Sequence, residues 1–127
     1  MLTNLLQVAL GGAIGASGRY LVNMGAMRLM GPGFPWGTLA VNVAGSFLMG
    51  VLVVVLAHKD GGGMRFAPLL MTGMLGGFTT FSAFSLDALT LWERGNTGLT
   101  VFYIVASVFL SLGAIVLALW LTRGIYQ

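Results

Sequence analysis

The sequence predicts an all-α membrane protein with four transmembrane helices, and three observations lead to this fold class. Of the 127 residues, 57% are hydrophobic and only 7% are charged, whereas about 25% are charged in an average soluble domain. The mean hydropathy is +0.96. Four apolar stretches are each long enough for a helix of about 20 residues to cross a bilayer. We therefore expect residues 1–127 to form a single four-helix transmembrane domain.

The predicted spans cover residues 5–27, 38–57, 66–92 and 99–122, and polar or turn-rich stretches separate them. No cationic segment beyond the amino terminus precedes the first span, so we expect it to be a retained helix rather than a cleaved signal peptide. Zero cysteines exclude a disulfide framework and any Cys-ligated metal. The net charge of +3 is spread over loops, which favours a role in membrane topology over nucleic-acid binding. An enzyme is not expected, because the lone His58 has no evident acid or nucleophile partner.

The first and third spans contain pairs of glycines spaced four residues apart. Gly11 and Gly15 form one GxxxG pattern, and Gly73 and Gly77 form another. Such patterns allow helix backbones to approach closely, and we interpret them as weak support for association.

The second and fourth spans each have a stripe of neutral polar side chains at four-residue spacing, which places them on one helix face. Every side chain in the two stripes can donate a hydrogen bond, and none has a fixed charge. A partly dehydrated anion could therefore be both held and released along such stripes. The alternative is that these groups only bond across helices or to their own carbonyls. The stripes comprise Thr38, Asn42 and Ser46 in the second span, and Tyr103, Ser107 and Ser111 in the fourth.

The third span is interrupted by the stretch GGFTTFSAF at positions 76–84. Its glycines, with Thr79 and Thr80, predict a helix that breaks at mid-membrane, where irregular backbone is tolerated if it lines a cavity or an ion site. The freed carbonyl oxygens could bind a cation. Phe81 and Phe84 follow on one face, and the positive edges of their rings could contact an anion. The alternative is that these rings only pack.

The charges favour neither orientation in the bilayer, because a four-span chain has three basic residues at each side. Such a balance leaves insertion undecided under the positive-inside rule, and it is typical of a chain that inserts in both orientations and pairs as an antiparallel homodimer. The alternative is a chance balance of few charges. The two groups are Lys59, Arg65 and Arg123 on one side, and Arg19, Arg28 and Arg94 on the other.

The chain resembles the Fluc (CrcB) family of small dual-topology fluoride channels over essentially all four spans. The resemblance depends on GGAIGASGRY at 11–20, WGTLAVNVAGSF at 36–47, TGMLGGFTTFSAFS at 72–85 and ERG at 93–95. It implies an antiparallel homodimer with two pores in the cell inner membrane, present in both orientations and surrounded by lipid. It also implies passive export of fluoride, which protects the cell from fluoride toxicity.

The resemblance further implies roles for individual residues. Arg19 and Thr38 correspond to polar residues near the vestibule, and the backbone carbonyls of Gly76 and Thr79 to the site of a structural sodium ion on the dimer axis. Ala83 departs from the threonine of many relatives, which removes a hydroxyl near the pore. A small dual-topology multidrug or cation exporter is the alternative function, but the membrane-embedded glutamate of such exporters is missing from the first span. The implied fluoride pore is lined by Asn42, Phe81, Ser82, Phe84, Tyr103, Ser107 and Ser111.

Overall fold

The computed structural model describes residues 1–59 and 63–127 as a bundle of helices with short connections. A 3-10 turn (Gly63–Phe66) and a π-helical segment (Pro68–Leu75) begin the third span. The α-helices are α1 (Leu2–Met30), α2 (Trp36–His58), α3 (Gly76–Phe78), α4 (Phe81–Glu93) and α5 (Thr97–Ile125).

Among the residues that the structure describes, four helical segments are long and apolar enough to cross a membrane, which confirms the all-helical, four-span prediction. Their mean hydropathy is 1.2 for α1, 2.4 for α2, 1.3 for the third span and 2.5 for α5. The helices extend beyond the predicted limits, because helical hydrogen bonding continues into the polar residues that end each apolar stretch. The segments are Leu2–Met30, Trp36–His58, Met64–Glu93 and Thr97–Ile125.

Helix α1 packs against the third span through the two GxxxG patterns. A Cβ atom added to Gly11 would lie 2.9 Å from the Gly73 Cα atom, and one added to Gly77 would lie 2.8 Å from the Gly12 carbonyl oxygen. A Cβ atom at Gly15 would overlap the backbone of the third span. Both patterns are therefore used within one chain, and they do not supply evidence for contact between chains.

A buried cluster ties the connection between α1 and α2 to three helices. Phe34 from that connection packs with Leu39 of α2, Leu91 of α4 and Tyr103 of α5. Tyr103 is fully buried and Leu91 is 2% exposed. Phe84 packs against the same cluster, so this core lies directly beside the phenylalanines of the interrupted span.

The third span is not a continuous helix. Thr79 (φ −86°, ψ 158°) and Thr80 (φ −155°, ψ 123°) are extended between α3 and α4. The Thr79 N–H and hydroxyl both donate to the Leu75 carbonyl, at 3.0 and 2.8 Å, and so close the end of the preceding helix. The interruption falls inside GGFTTFSAF, as the sequence predicts, and its depth in a bilayer stays a prediction.

The π-helical segment at the start of the third span was not expected from the sequence. The first N–H groups of any helix lack partners within it, and here the Gln7 side-chain oxygen of α1 accepts from the Leu69 N–H at 3.2 Å. A side chain from the neighbouring helix thus satisfies a backbone group that lipid could not.

Candidate functional site

A groove of about 420 Å³ lies between α2, the interruption of the third span and α5. It brings together polar side chains from both predicted stripes and the phenylalanines that follow the break. These residues are far apart in the sequence, and the packing of α5 on α2 places them around one space. Its lining includes Asn42, Gly45, Ser46, Thr79, Thr80, Phe81, Phe84, Ser107 and Ser111.

Asn42 connects α2 to the break by two hydrogen bonds with one residue. Its amide nitrogen donates to the Thr80 carbonyl at 3.0 Å, and its amide oxygen accepts from the Thr80 N–H at 2.7 Å. An Asn side chain has two N–H donors, so one of them is left over from this pairing. Asn42 therefore fixes the extended backbone and keeps a donor at the groove.

Thr80 also sets where α4 begins. Its hydroxyl accepts from the Ala83 N–H at 3.1 Å, which is the N-cap arrangement that satisfies one of the free donors of a helix start. The first turn of α4 then presents two rings to the groove, with Phe81 78% exposed and Phe84 half-buried. The ring centres of Phe81 and Phe84 are 5.6 Å apart and their planes are inclined by 44°. The break thus places both rings in the lining that also includes Asn42.

Ser107 contributes a buried hydroxyl to the same groove. The residue is 6% exposed, and its Oγ atom has no hydrogen-bond partner among residues 1–59 and 63–127. An unsatisfied buried polar group costs about 1–3 kcal/mol, so an acceptor that reached this covered atom from the groove would offset the cost. Ser111 and Ser46 are half-buried in the same lining.

The structure does not bring two of the predicted pore residues into this lining. Tyr103 is fully buried, and its hydroxyl donates to the Asp87 carboxylate at 3.2 Å. Ser82 is exposed, and its hydroxyl lies 3.3 Å from that of Thr80. Tyr103 instead contacts the Phe84 ring, with ring centres 5.2 Å apart, so it lies behind the groove rather than along it.

Arg19 and the predicted cation ligands surround the short helix α3. The Arg19 Nε atom donates to the Gly77 carbonyl at 3.0 Å. Within the described ranges, we find no hydrogen bond to the carbonyl oxygens of Gly76 or Thr79. Gly76 is exposed on the surface of the chain. Unused carbonyls at a helix interruption are the kind of ligand that Na⁺ takes in membrane proteins, so these two positions fit the expected cation.

Thr38 and Asp87 line a second cavity, of about 310 Å³, at the end of the bundle that contains the connection between α1 and α2. Asn23 and Arg94 also line it. In the structure Asp87 borders this cavity and bonds to Tyr103, whereas Arg19 bonds to Gly77.

Thr80 and Ser46 are not among the pore residues that the resemblance implies, although both line the groove. Ser46 does belong to the polar stripe predicted for the second span. The sequence signal for Thr80 was weaker. Thr80 acts as the N-cap of α4, and the residue at which α4 begins becomes clear only once the position of the break is known.

The chain is similar to a family of known proteins over most of its length. Residues 6–119 match the family described as CrcB-like protein, Camphor Resistance (CrcB). The Fluoride-specific ion channel FluC of Cereibacter sphaeroides (strain ATCC 17029 / ATH 2.4.9) is 67% identical over 124 residues, which cover 98% of both chains. Proteins with the same name are 57% identical in Paracoccus denitrificans (strain Pd 1222), over 95% of both chains, and 54% identical in Agrobacterium fabrum (strain C58 / ATCC 33970), over 97% of this chain and 98% of the relative.

Proposed function

The chain belongs to the CrcB-like protein family, and from this membership we propose that it is a fluoride-selective channel through which fluoride leaves the cytoplasm passively. The shared name of its relatives supports fluoride as the transported ion. The chain is not an enzyme, since conduction needs a path and a driving force but no bond-breaking group. Export of fluoride would protect the cell from its toxicity.

The groove supplies the observation that carries this function. Ser107 has a buried hydroxyl without a partner among the described residues, and Asn42 has an amide N–H left over from its pairing with Thr80. Fluoride accepts hydrogen bonds strongly, so both donors would replace part of its water shell. Neither group has a fixed charge that would trap the ion, and conduction requires binding weak enough for the ion to leave.

Phe81 and Phe84 supply the second part of the path. The edge of an aromatic ring has a positive partial charge, and the two inclined rings border the same groove as the donors. A small anion gains most from such close contacts, because interaction energy falls with distance. Chloride is larger and would gain less.

We extend the proposal to an antiparallel homodimer with two pores. Phe81 is 78% exposed in the single chain, so lipid or a second copy must cover it, and a second copy would close the groove. The element order gives each end of the bundle similar positive charge, which favours insertion into the inner membrane in both orientations. One end has Lys59, Arg65 and Arg123, and the other has Arg28 and Arg94, with Arg19 nearby.

We also propose that the carbonyls of Gly76 and Thr79 hold a sodium ion. Gly76 is exposed beside the break, so the matching carbonyls of a second copy could complete a shell of oxygen ligands around the dimer axis. A bound cation adds fixed positive charge close to an anion path. The Gly77 carbonyl, which lies between these two positions in the sequence, instead accepts a hydrogen bond from the Arg19 Nε atom.

Ion efflux from liposomes tests the function. Vesicles that contain the purified protein should lose fluoride rapidly and chloride slowly, and Phe81→Ile should abolish the fluoride loss. Phe109→Ile is the matched control, because Phe109 is 70% exposed and does not line the groove. Vesicles that retain fluoride, or that leak both halides alike, would overturn the proposal.

A further inference from the structure

Phe34 is a loop residue that is built into the core next to the groove. It lies in the connection between α1 and α2 and is 9% exposed. Its ring meets Tyr103 edge to face, with centres 5.4 Å apart and planes at 88°. It also contacts Trp36 at 4.6 Å and Phe102 at 5.8 Å. The Phe34 ring thus attaches the loop to Tyr103, which itself contacts α4.

Tyr103 connects Phe34 to the pore rings. It is fully buried, and its ring contacts Phe34 and Phe84. Its hydroxyl donates to Asp87, one turn beyond Phe84 on α4. Two independent contacts therefore hold Tyr103 in place, and the Phe84 ring rests against it. Phe84 in turn contacts Phe81, so the rings form a continuous series from the loop to the groove.

The connection that presents Phe34 is itself restrained. Gly31 has a φ of 78°, a conformation that favours glycine, and its N–H closes α1 by donating to the Met27 carbonyl at 3.0 Å. Pro32 and Pro35 limit the backbone around Phe34. The Arg94 guanidinium donates to the Pro32 carbonyl at 3.4 Å. These restraints on the loop can hold the Phe34 ring in one position, so that Phe34 does more than cover the core.

On the premise of the proposed function, we infer that Phe34 is a positioning residue for the pore. It holds Tyr103, and through Tyr103 it fixes the Phe84 ring and so sets the selectivity for fluoride over chloride. Close-packed interiors transmit small displacements, and replacement of the Phe34 ring by a smaller, flexible side chain would let Tyr103 and Phe84 shift. Phe34 does not line the groove but borders the second cavity, so we expect its effect on the groove to pass through the rings.

The test compares Phe34→Leu, which loses the ring, with Phe34→Tyr, which keeps it. Fluoride and chloride efflux from liposomes gives the selectivity ratio for each protein. We expect Phe34→Leu to lower this ratio by about tenfold or more, since a displacement of roughly 1 Å is enough for such an effect at a positioned site, and Phe34→Tyr to resemble the wild type. Phe109→Leu is the control for loss of an aromatic ring elsewhere on the chain. If Phe34→Leu cannot be purified as folded protein, Phe34→Met replaces it under the same criterion.

A double-mutant cycle separates positioning from general loosening. If Phe34 acts through Phe84, the Phe34→Leu substitution should change selectivity much less in a Phe84→Leu background than in the wild type. The inference would be overturned if the losses of selectivity in Phe34→Leu and Phe84→Leu simply added in the double variant. A Phe34→Leu protein with wild-type selectivity would also overturn it. Either result would leave the channel function standing, whereas a wild-type protein that conducts no fluoride would overturn both.

Discussion

The side chain of Asn42 and the main chain of Thr80 form a closed pair of hydrogen bonds, 2.7 and 3.0 Å long, that joins α2 to the break in the third span. A break in a membrane helix frees backbone donors and acceptors that lipid cannot satisfy, at a cost of several kcal/mol each. The Asn42 amide satisfies the donor and the acceptor of Thr80. The residue that the sequence indicates as an ion ligand is therefore also the support of the break.

Asn42→Ala should lower both stability and fluoride flux. The substitution leaves the Thr80 N–H and carbonyl without their partner, so the free energy of unfolding should fall by about 2 kcal/mol or more. Thermal unfolding in detergent measures the first effect and liposome efflux the second. Asn4→Ala, at the exposed start of α1, should change neither. An Asn42→Ala protein as stable as the wild type would contradict the supporting role.

Ser107→Ala should separate stability from conduction. It removes a buried hydroxyl that has no partner among the described residues, so the free energy of unfolding should stay level or rise by about 1 kcal/mol. Fluoride flux should fall, because the path loses a donor. Ser17→Ala is the control, since the Ser17 hydroxyl bonds to its own helix at Ala13 and is exposed. Unchanged flux in Ser107→Ala would remove this hydroxyl from the path.

Gly15→Ala should destabilise the bundle, and Gly12→Ala should not. A Cβ atom at Gly15 would overlap the backbone of Met74 and lie 2.9 Å from the Phe78 nitrogen, whereas one at Gly12 meets nothing within 4 Å. Overpacking of this kind costs about 1–3 kcal/mol. Thermal unfolding of the two variants in the same detergent measures the difference. Equal melting temperatures would show that α1 and the third span can move apart without loss of stability.

Removal of sodium should reduce fluoride flux if the Gly76 and Thr79 carbonyls hold this ion. Protein purified and reconstituted in potassium or N-methylglucamine salts, at equal ionic strength, should conduct less than protein kept in sodium, and sodium should restore the flux. Fluoride efflux in each salt, with chloride efflux as the reference, measures the effect. Equal fluoride flux in all three salts would argue against the cation site.

The carboxyl terminus should be found on both sides of the membrane if the chain inserts in both orientations. The chain has no cysteine, so Gln127→Cys provides a single label near the end of α5. An impermeant thiol reagent should label one fraction of this protein from outside intact cells and the remainder only after the cells are opened. Labelling from one side alone would exclude the antiparallel dimer.

Local sequence properties determined the spans and the position of the break. Apolar length sets where a helix can cross a bilayer, and the glycines and threonines of GGFTTFSAF mark where it stops. The polar stripes were only partly right as a description of one surface. Positions four apart on a helix are rotated by about 40° from one another. The third residue of a stripe therefore points in a clearly different direction from the first. In the second span, Asn42 and Ser46 line the groove, whereas Thr38 lines the second cavity. In the fourth span, Ser107 and Ser111 line the groove, whereas Tyr103 lies behind the groove.

Only the tertiary structure decided which partner each polar group meets. Asn42 and Thr80 are 38 positions apart, Arg19 and Gly77 are 58 apart, and Tyr103 and Asp87 are 16 apart. Rotation per residue is a local property, and a sequence shows it directly. A hydrogen bond between helices depends instead on their distance and relative register. For α1 and the third span, the contacts of Gly11, Gly15, Gly73 and Gly77 set both by letting the two backbones touch.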